Sequence, residues 1–174
     1  GSDRFVIEYT KLIHHNAERL NSLILELIEF RRIETGNRTP HIETLSITDL
    51  ANDIIKTFAE NIESKNIQFE YNIPGRLNWN SDKSFLYTVI SNLLSNAYKY
   101  TNSYGTIKLG IKAEKDLLNI TISNTGKGIR KENYDLIFDR YSILDNFENR
   151  DDNTSISRNG LGLAISNNLV KLLG

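Results

Sequence analysis

Residues 92–100 read Asn-Leu-Leu-Ser-Asn-Ala-Tyr-Lys-Tyr, and this stretch decides how the remainder of the chain is interpreted. A helix has about 3.6 residues per turn, so its polar members share one side: Asn92, Asn96, Lys99 and Tyr100. Apolar residues fall on the opposite side and predict a core-facing surface: Leu86, Ile90, Leu93, Leu94 and Ala97. Two amide oxygens and a cation on one surface suit a metal–phosphate ligand, and the alternative is a solvated polar face.

Composition excludes several classes of site. The 174 residues contain no cysteine, which excludes disulfides, thiolate metal sites and a cysteine nucleophile, and fits a reducing compartment. The three histidines, at positions 14, 15 and 41, are too few and too badly spaced for a zinc centre. Adjacent helical side chains point about 100° apart, so His14 and His15 cannot chelate one ion together. They are expected on a helix surface, and no role is assigned to His41.

Charge and hydropathy argue against nucleic acid and membranes as partners of this chain. Charged residues make up 25% of the chain and the formal net charge is −1, so nothing indicates nucleic acid or an anionic membrane. No apolar run approaches the ~20 residues that span a bilayer, and there is no signal peptide. We therefore expect a cytoplasmic fragment that is not embedded in a membrane. Gly1-Ser2 resembles a tag remnant, and the absence of methionine indicates a piece of a longer protein.

The chain begins with a predicted long helix. Residues 3 to about 34 carry apolar side chains at three- and four-residue steps: Phe5, Tyr9, Leu12, Ile13, Leu20, Leu23, Ile24, Leu27 and Phe30. Such a narrow stripe is typical of a bundle or coiled-coil seam. Thr35-Gly36-Asn37 supplies the stop, with Pro40 just beyond it.

Periodicity predicts an α+β domain after this helix. The predicted elements are a strand at 41–46, a helix opened by Thr48-Asp49 and ending near 64, a strand at 67–73, a return strand starting at 76–79, the helix of residues 92–100 capped by Ser81 or Asp82, a hairpin of strands 106–113 and 117–123, a short helix through Ile137-Phe138, and a last helix after residues 159–163. Residues 142–158 are too polar to bury and predict a mobile loop. Antiparallel strands with helices on one face make a two-layer α/β sandwich.

Three motifs stand in order along this domain: the asparagine motif of residues 92–100, Asn-Thr-Gly-x-Gly-Ile at 124–129, and Gly-Leu-Gly-Leu-Ala at 160–164. One Gly-x-Gly is a weak signal, whereas three ordered motifs in their expected settings are specific. Over about residues 40–174 the chain closely resembles the catalytic ATP-binding domain of sensor histidine kinases, within the Bergerat-fold ATPases. The resemblance implies a division of the chain into the second helix of the dimerisation and phosphotransfer hairpin at 3–35 and the ATP-binding domain at 36–174. Within that domain it implies an ATP lid at about 142–158. The family's closing strands are absent.

The resemblance also implies an ATP and Mg²⁺ site formed by Asn92, Asn96, Lys99, Tyr100, Asn124, Gly126, Gly128, Ile129, Gly160, Leu161, Gly162 and Leu163. Asn96 would give its side-chain oxygen to Mg²⁺, with Asn92 as the second candidate, which fits a cation that prefers hard oxygen ligands. Lys99 would reach a phosphate, and Tyr100 would lie near the adenine or ribose. Their alternatives are a solvated lysine and an aromatic side chain at the edge of the core.

The glycine motifs have matching implied roles. Gly126 and Gly128 would let the backbone approach the flat base, and Ile129 would cover one face of the adenine. Gly160 and Gly162 stand at a predicted helix start, where free N–H groups and the positive end of the helix dipole favour phosphate.

Two positions depart from the family pattern. The family usually has Asp at position 124 to accept a hydrogen bond from the adenine amino group, and this chain has Asn124. The amide oxygen accepts the same bond without the charge, at an expected loss of about 1 kcal/mol. The family often has glycine two positions before Gly160, where this chain has Arg158. Arg158 either offers a guanidinium to the phosphates or is solvated.

The first residue of the asparagine motif distinguishes ATP hydrolysis from phosphoryl transfer. Relatives that hydrolyse ATP carry Glu at the first position of the asparagine motif to activate water, and Asn92 cannot take a proton. The resemblance therefore implies transfer of the γ-phosphoryl group to a protein histidine, which relies mainly on positioning and charge stabilisation. No His-Glu or His-Asp pair is present, so the acceptor is expected outside this chain, and the chain is not expected to phosphorylate itself.

The implied partners are ATP or ADP, a response-regulator receiver domain and a second copy of the parent protein, which would be the cytoplasmic part of a membrane-anchored sensor. The alternative function is a catalytically degenerate nucleotide-binding or docking module, because of the departures at Asn124 and Arg158. A structural coiled-coil adaptor would explain only the first helix.

Overall fold

The computed structural model describes residues 2–139 and 160–174. The helices and strands, in chain order, are α1 (Ser2–Glu34), β1 (Glu43–Ser46), α2 (Ile47–Ser64), β2 (Gln68–Asn72), β3 (Asn78–Ser81), α3 (Lys83–Tyr100), β4 (Thr106–Glu114), β5 (Leu117–Asn124) and α4 (Gly162–Leu173). Gly1 of the predicted tag, the predicted lid at 142–158 and Arg158 lie outside the described residues. The predicted α+β fold with a long N-terminal helix is confirmed.

The strands form a two-stranded sheet, β1–β3, and a three-stranded sheet in the order β2–β4–β5. The predicted hairpin of β4 and β5 is antiparallel as expected, with Ile111 opposite Ile120. The expectation of antiparallel strands throughout is wrong, because β2 pairs in parallel with β4. The 33 residues between β2 and β4 (73–105) include β3 and α3 and supply the long crossover that a parallel pair requires.

The predicted return strand also has a different partner. β3 follows the turn at Pro74-Gly75 but pairs with β1, with Trp79 opposite Leu45, and it does not pair with β2. Other boundaries shift by small amounts. Helix α2 begins at Ile47 and is capped by Ser46, whose hydroxyl accepts from the N–H of Asp49, rather than opening at Thr48-Asp49. The predicted short helix through Ile137-Phe138 is two 3₁₀ turns, Lys131–Asn133 and Leu136–Phe138.

The main hydrophobic core lies between the sheets and the helices α2 and α3. It contains Leu45, Ile47, Leu50, Ala51, Ile54, Ile62, Ile67, Leu86, Ile90, Leu94, Ala97, Tyr98, Ile107, Leu109 and Ile111. The predicted inward face of α3 is confirmed by four of these residues: Leu86, Ile90, Leu94 and Ala97. Alternate β4 residues contribute Ile107, Leu109 and Ile111, as expected of a strand with one buried face.

A second cluster, here called the α1–α3–α4 cluster, packs on the other side of α3. Its buried members are Phe30, Ile33, Phe85, Val89, Leu161, Ala164, Ile165 and Leu169. Leu93, predicted on the core face, is half-buried and packs against this cluster rather than the main core. Helix α3 is therefore covered on two faces, and the remaining surface between them carries the polar side chains of the asparagine motif.

Among the described side chains of α1, only two near its end belong to that cluster. Phe30 and Ile33 are buried, whereas apolar residues earlier in the helix are exposed: Phe5, Val6, Ile7, Tyr9, Leu12, Ile13, Leu20, Ile24, Leu25, Leu27 and Ile28. The helix ends at Glu34, directly before the predicted stop at residues 35–37. Gly36 has a left-handed φ of +69°, which allows the N–H of Asn37 to bond the carbonyl of Arg32 at 3.0 Å. Within the described residues, no helix combines the length and the apolar character needed to cross a membrane.

Candidate functional site

Helix α3 is held at its first residue by Asp82, one of the two predicted caps. The Asp82 carboxylate is buried and accepts from the N–H of Phe85 at 3.0 Å, from the Ser84 hydroxyl at 2.7 Å and from the N–H of His41 at 2.7 Å. Burial acts to raise the pKa of Asp82, but these hydrogen bonds together outweigh burial, and the pKa lies below its ordinary value. His41, for which the sequence indicates no role, thus contributes its main-chain N–H to this anchor.

Lys65, at the end of α2, holds the other end of α3. Its ammonium donates to the carbonyl oxygens of Tyr98 at 3.1 Å and Thr101 at 3.4 Å, and lies 4.3 Å from the centre of the Tyr98 ring. The last carbonyls of a helix have no intrahelical partner and carry partial negative charge, so a half-buried ammonium stabilises this end. The Thr101 hydroxyl also donates to the carbonyl of Ala97 at 2.5 Å.

The asparagine motif and the last glycine motif meet at Asn92. The Asn92 side-chain NH₂ donates to the carbonyl oxygen of Gly162 at 3.1 Å and to the Ser166 hydroxyl oxygen at 3.3 Å. The Ser166 hydroxyl in turn donates to the same Gly162 carbonyl at 2.8 Å. A carbonyl oxygen can only accept, so the NH₂ group of Asn92 must face Gly162, and its amide oxygen is the group left to meet a ligand.

The other predicted site residues of α3 are Asn96, Lys99 and Tyr100. Asn96 is half-buried one turn after Asn92. Lys99 is half-buried as well, and its ammonium lies 4.9 Å from the centre of the Tyr100 ring, within the range of a cation–π contact. Tyr100 is the last residue of the helix and is partly exposed.

The second motif begins where β5 ends, at Asn124. Thr125 joins this point to β4, because its N–H donates to the carbonyl of Thr106 at 2.9 Å and its hydroxyl accepts from the N–H of Thr106 at 2.7 Å. Gly126 then lies directly against the carbonyl oxygen of Tyr100, so close that a Cβ added there would collide with that oxygen. The absence of a side chain at Gly126 thus allows the loop after β5 to touch the end of α3.

Gly128 and Ile129 lie further along this loop. Gly128 has a left-handed φ of +69°, which glycine adopts without strain. A Cβ at Gly128 would meet no heavy atom within 4 Å among the described residues, and Ile129 is 43% exposed. Both residues are therefore open to solvent in this structure, and their described contacts do not join them to Asn92 or to the last motif.

The third motif forms the start of α4. Gly160 has a left-handed φ of +65°, Leu161 is buried in the α1–α3–α4 cluster, and Gly162 and Leu163 are the first helical residues. Within the described part of the chain, no side chain caps this helix end. A buried leucine thus fixes the helix while its first N–H groups are left for another acceptor, the arrangement that anions use.

The donor set fits Mg²⁺ with a phosphate ligand. Asn92 and Asn96 place two half-buried carboxamides one turn apart, and the hydrogen bonds of Asn92 direct its oxygen away from the Gly162 carbonyl. Magnesium typically takes one or two protein oxygens and fills its other positions with water and phosphate oxygens. The described residues, this region included, contain no group of three or more His, Cys, Asp or Glu that could hold a metal, so the oxygens offered here are those of the two carboxamides.

Sequence reasoning missed Ser166, Lys65 and Thr125 as parts of this region. Ser166 has a weak local signal, since a serine one turn after Gly162 in a mostly apolar helix can bond back to the glycine carbonyl. Thr125 stands inside the second motif, but the motif itself indicates no role for its hydroxyl. Lys65 has no signal in the sequence, because the chain separates it from Tyr98 by 33 residues.

The chain is similar to a family of known proteins. The family described as histidine kinase-, DNA gyrase B-, and HSP90-like ATPases matches residues 81–174. The chain is 32% identical, over 174 aligned positions, to the circadian input-output histidine kinase CikA of Synechococcus elongatus. That alignment includes 96% of this chain and 22% of CikA, so the chain spans about a fifth of that relative.

Two solved structures share the fold. Full-length ShkA in complex with AMPPNP superposes with a TM-score of 0.80 at 20% identity, covering 95% of this chain and 33% of ShkA. The histidine kinase ThkA in complex with the response regulator protein TrrA superposes with a TM-score of 0.66 at 23% identity, covering 78% of this chain and 40% of that chain.

Proposed function

Because the chain belongs to the family of histidine kinase-, DNA gyrase B-, and HSP90-like ATPases, we propose that it is the ATP-binding catalytic domain of a sensor histidine kinase. In the parent protein it transfers the γ-phosphoryl group of ATP to a histidine outside this chain. The hydrogen bond from Asn92 to Gly162 carries the proposal, because it joins the asparagine motif of α3 to the glycine motif of α4.

The binding roles follow from these positions. The oxygens of Asn96 and Asn92 hold Mg²⁺, and the N–H groups at Gly160–Leu163 and the ammonium of Lys99 receive the phosphates. Mg²⁺, when bound, neutralises charge on the phosphate oxygens. Tyr100, Gly126, Gly128 and Ile129 surround the adenine, and Asn124 accepts from its amino group. The contact of Gly126 with the Tyr100 carbonyl supports this arrangement, because it brings the loop that carries Asn124 and Ile129 against the end of α3.

Calorimetry tests nucleotide binding directly. Titration of the chain with Mg-ATP is expected to give saturable heat, and Asn96→Ala is expected to remove most of it. Asn52→Ala is the matched control, because Asn52 is an exposed asparagine within helix α2. A ligand at about 100 times its dissociation constant stabilises the native state by about 2.7 kcal/mol, so thermal melting gives an independent readout. Binding that persists in Asn96→Ala at wild-type strength would contradict the assigned magnesium site.

Position 124 distinguishes an active kinase from the second candidate, a nucleotide-binding docking module. Asn124, in place of the family's usual aspartate, favours the docking module because it weakens adenine recognition. Asn124→Asp is therefore expected to tighten ATP binding by about fivefold, equivalent to ~1 kcal/mol. Radiolabel transfer from γ-labelled ATP to a separately supplied acceptor hairpin then distinguishes the active kinase from the docking module. Transfer by the unaltered chain supports the kinase, and ATP binding without transfer supports the docking module.

The exposed apolar residues of α1 support a proposal about assembly. Leu20 and Ile24 are 58% and 47% exposed and stand one turn apart on the predicted seam. We propose that this seam pairs with a second copy in the parent protein, and that the parent's cytoplasmic part passes the phosphoryl group to a response-regulator receiver domain. Leu20→Glu should lower the dimer fraction in sedimentation, whereas Lys11→Glu, an exposed change on the same helix, should not. An unchanged dimer fraction in Leu20→Glu would contradict the seam.

A further inference from the structure

Ser166 has an unusual position for a hydroxyl in a mostly apolar helix. It is 4% exposed, and it stands one turn after Gly162 on the side of α4 that faces α3. Its hydroxyl hydrogen is directed to the Gly162 carbonyl at 2.8 Å, so a lone pair of the same oxygen faces the Asn92 NH₂ at 3.3 Å. Ser166 and Gly162 thus present two acceptors to one amide group.

Two acceptors on one side fix the orientation of a carboxamide. If the Asn92 side chain rotated by half a turn about its last bond, its oxygen would face the Gly162 carbonyl and the Ser166 oxygen, and one or both contacts would become repulsive. Its NH₂ group would then point toward the ligand side, where a cation would meet partial positive charge. The half-buried position of Asn92 strengthens this preference, because water competes poorly for these groups.

We propose that Ser166 is a positioning residue that holds the Asn92 amide oxygen toward the magnesium–phosphate group. The inference rests on the proposed nucleotide site and adds a residue that the motifs themselves do not assign. It also predicts that the start of α4 and the metal ligand on α3 are coupled, since both meet at the Gly162 carbonyl.

Ser91 provides a matched control. It is the neighbour of Asn92 on α3, and its hydroxyl is buried but has no hydrogen-bond partner among the described residues. Ser166→Ala and Ser91→Ala therefore each remove one buried hydroxyl close to Asn92, and only the first removes a bond to the Asn92 side chain. The two variants remove the same volume, but only Ser166→Ala also loses hydrogen bonds, so the comparison of affinity with and without magnesium separates a loss of orientation from a general loss of stability.

Calorimetry with ATP in the presence of magnesium and in the presence of a chelator measures the magnesium-dependent part of the affinity. We expect Ser166→Ala to weaken Mg-ATP binding by on the order of threefold to tenfold, the factor that one ordinary hydrogen bond represents, and to change metal-free ATP binding much less. Ser91→Ala should match the unaltered chain in both titrations. In the Asn92→Ala background, Ser166→Ala should have no further effect on the magnesium-dependent part.

The outcomes separate the two proposals. If the unaltered chain shows no Mg-ATP binding, the proposed function fails. If it binds and Ser166→Ala behaves like Ser91→Ala, or loses equal affinity with and without magnesium, the positioning role of Ser166 is refuted.

If Ser166→Ala does not fold, a measurement on the unaltered chain tests the orientation of the Asn92 side chain instead. The side-chain NH₂ protons of Asn92, assigned in nuclear magnetic resonance spectra by their loss in Asn92→Ala, should exchange with water more slowly than those of exposed Asn52. Equal exchange rates would overturn the orientation on which the inference depends.

Discussion

Gly126→Ala tests the contact that joins the loop after β5 to the end of α3. The backbone at Gly126 is not in the left-handed region, so an alanine could adopt the same dihedral angles, and only its methyl group is at issue. That methyl group would collide with the carbonyl oxygen of Tyr100 and would lie 3.2 Å from the Asn124 amide nitrogen. The oxygen belongs to the backbone and cannot rotate away, so the loop or the helix end must move.

Overpacking of this kind typically costs about 1–3 kcal/mol. For a chain of this size, each kcal/mol lowers the midpoint of thermal unfolding by roughly 2–4 °C, so we expect a decrease of about 2–12 °C in Gly126→Ala. ATP binding should weaken as well, because the displaced loop carries Asn124 and Ile129. Differential scanning calorimetry and isothermal titration give the two quantities.

Gly162→Ala is the matched control for this prediction. A methyl group there would lie 3.5 Å from the Asn92 Cγ, an ordinary contact, and alanine favours a helix over glycine by up to ~1 kcal/mol. Its unfolding midpoint should therefore stay constant or rise. The reasoning would be refuted if Gly126→Ala melted like the unaltered chain, or if both variants lost the same stability.

Two further predictions concern the ends of α3. Asp82→Ala should cost about 1–2 kcal/mol at pH 7, since it removes the helix cap. The pKa of Asp82 is lower in the folded than in the unfolded chain, so its contribution is complete above about pH 4 and is lost as the pH falls through the folded value. Urea unfolding at pH 7 and pH 3 should show a smaller difference between Asp82→Ala and the unaltered chain at pH 3. An equal difference at both pH values would contradict the role of the charge, and exposed Asp53→Ala serves as the control. Lys65→Met should lower stability by about 1–3 kcal/mol in the same assay, because it leaves the Tyr98 and Thr101 carbonyls without their charged donor. Lys56→Met, at an exposed position on the same helix, should cost less than half a kcal/mol, about the value of a surface ion pair, and an equal loss would refute the role of Lys65.

Local features of the fold were predictable from the residues themselves. The cap at Asp82, the inward face of α3 and the β4–β5 hairpin all follow from periodicity and turn chemistry within a few residues. Lys115 shows why the hairpin closes where expected, since it takes a left-handed φ of +53° in the two-residue turn.

Features that depend on distant partners were not predictable in the same way. The parallel pairing of β2 with β4 depends on where the connection between them, residues 73–105, places β4 in the sheet. No sequence pattern inside either strand predicts that position. The bond between Asn92 and Ser166 joins residues 74 positions apart. The apolar stripe of α1 reads as one continuous seam, although only Phe30 and Ile33 are buried by the rest of the described chain.

The attachment of α1 has a mechanical consequence. Its 33 residues, at about 1.5 Å each, form a rod roughly 50 Å long, and among the described residues the rod is buried against the remainder of the chain only near one end. Treated as a rigid lever with its fulcrum at Phe30 and Ile33, the rod turns a sideways displacement of about 5 Å at the free tip into a tilt of only ~6°. Because Phe30 and Ile33 belong to the α1–α3–α4 cluster, the tilt acts on the packing of that cluster. A large displacement at the free end of α1 therefore becomes a small rotation at the cluster that contains Leu161, the residue directly before α4.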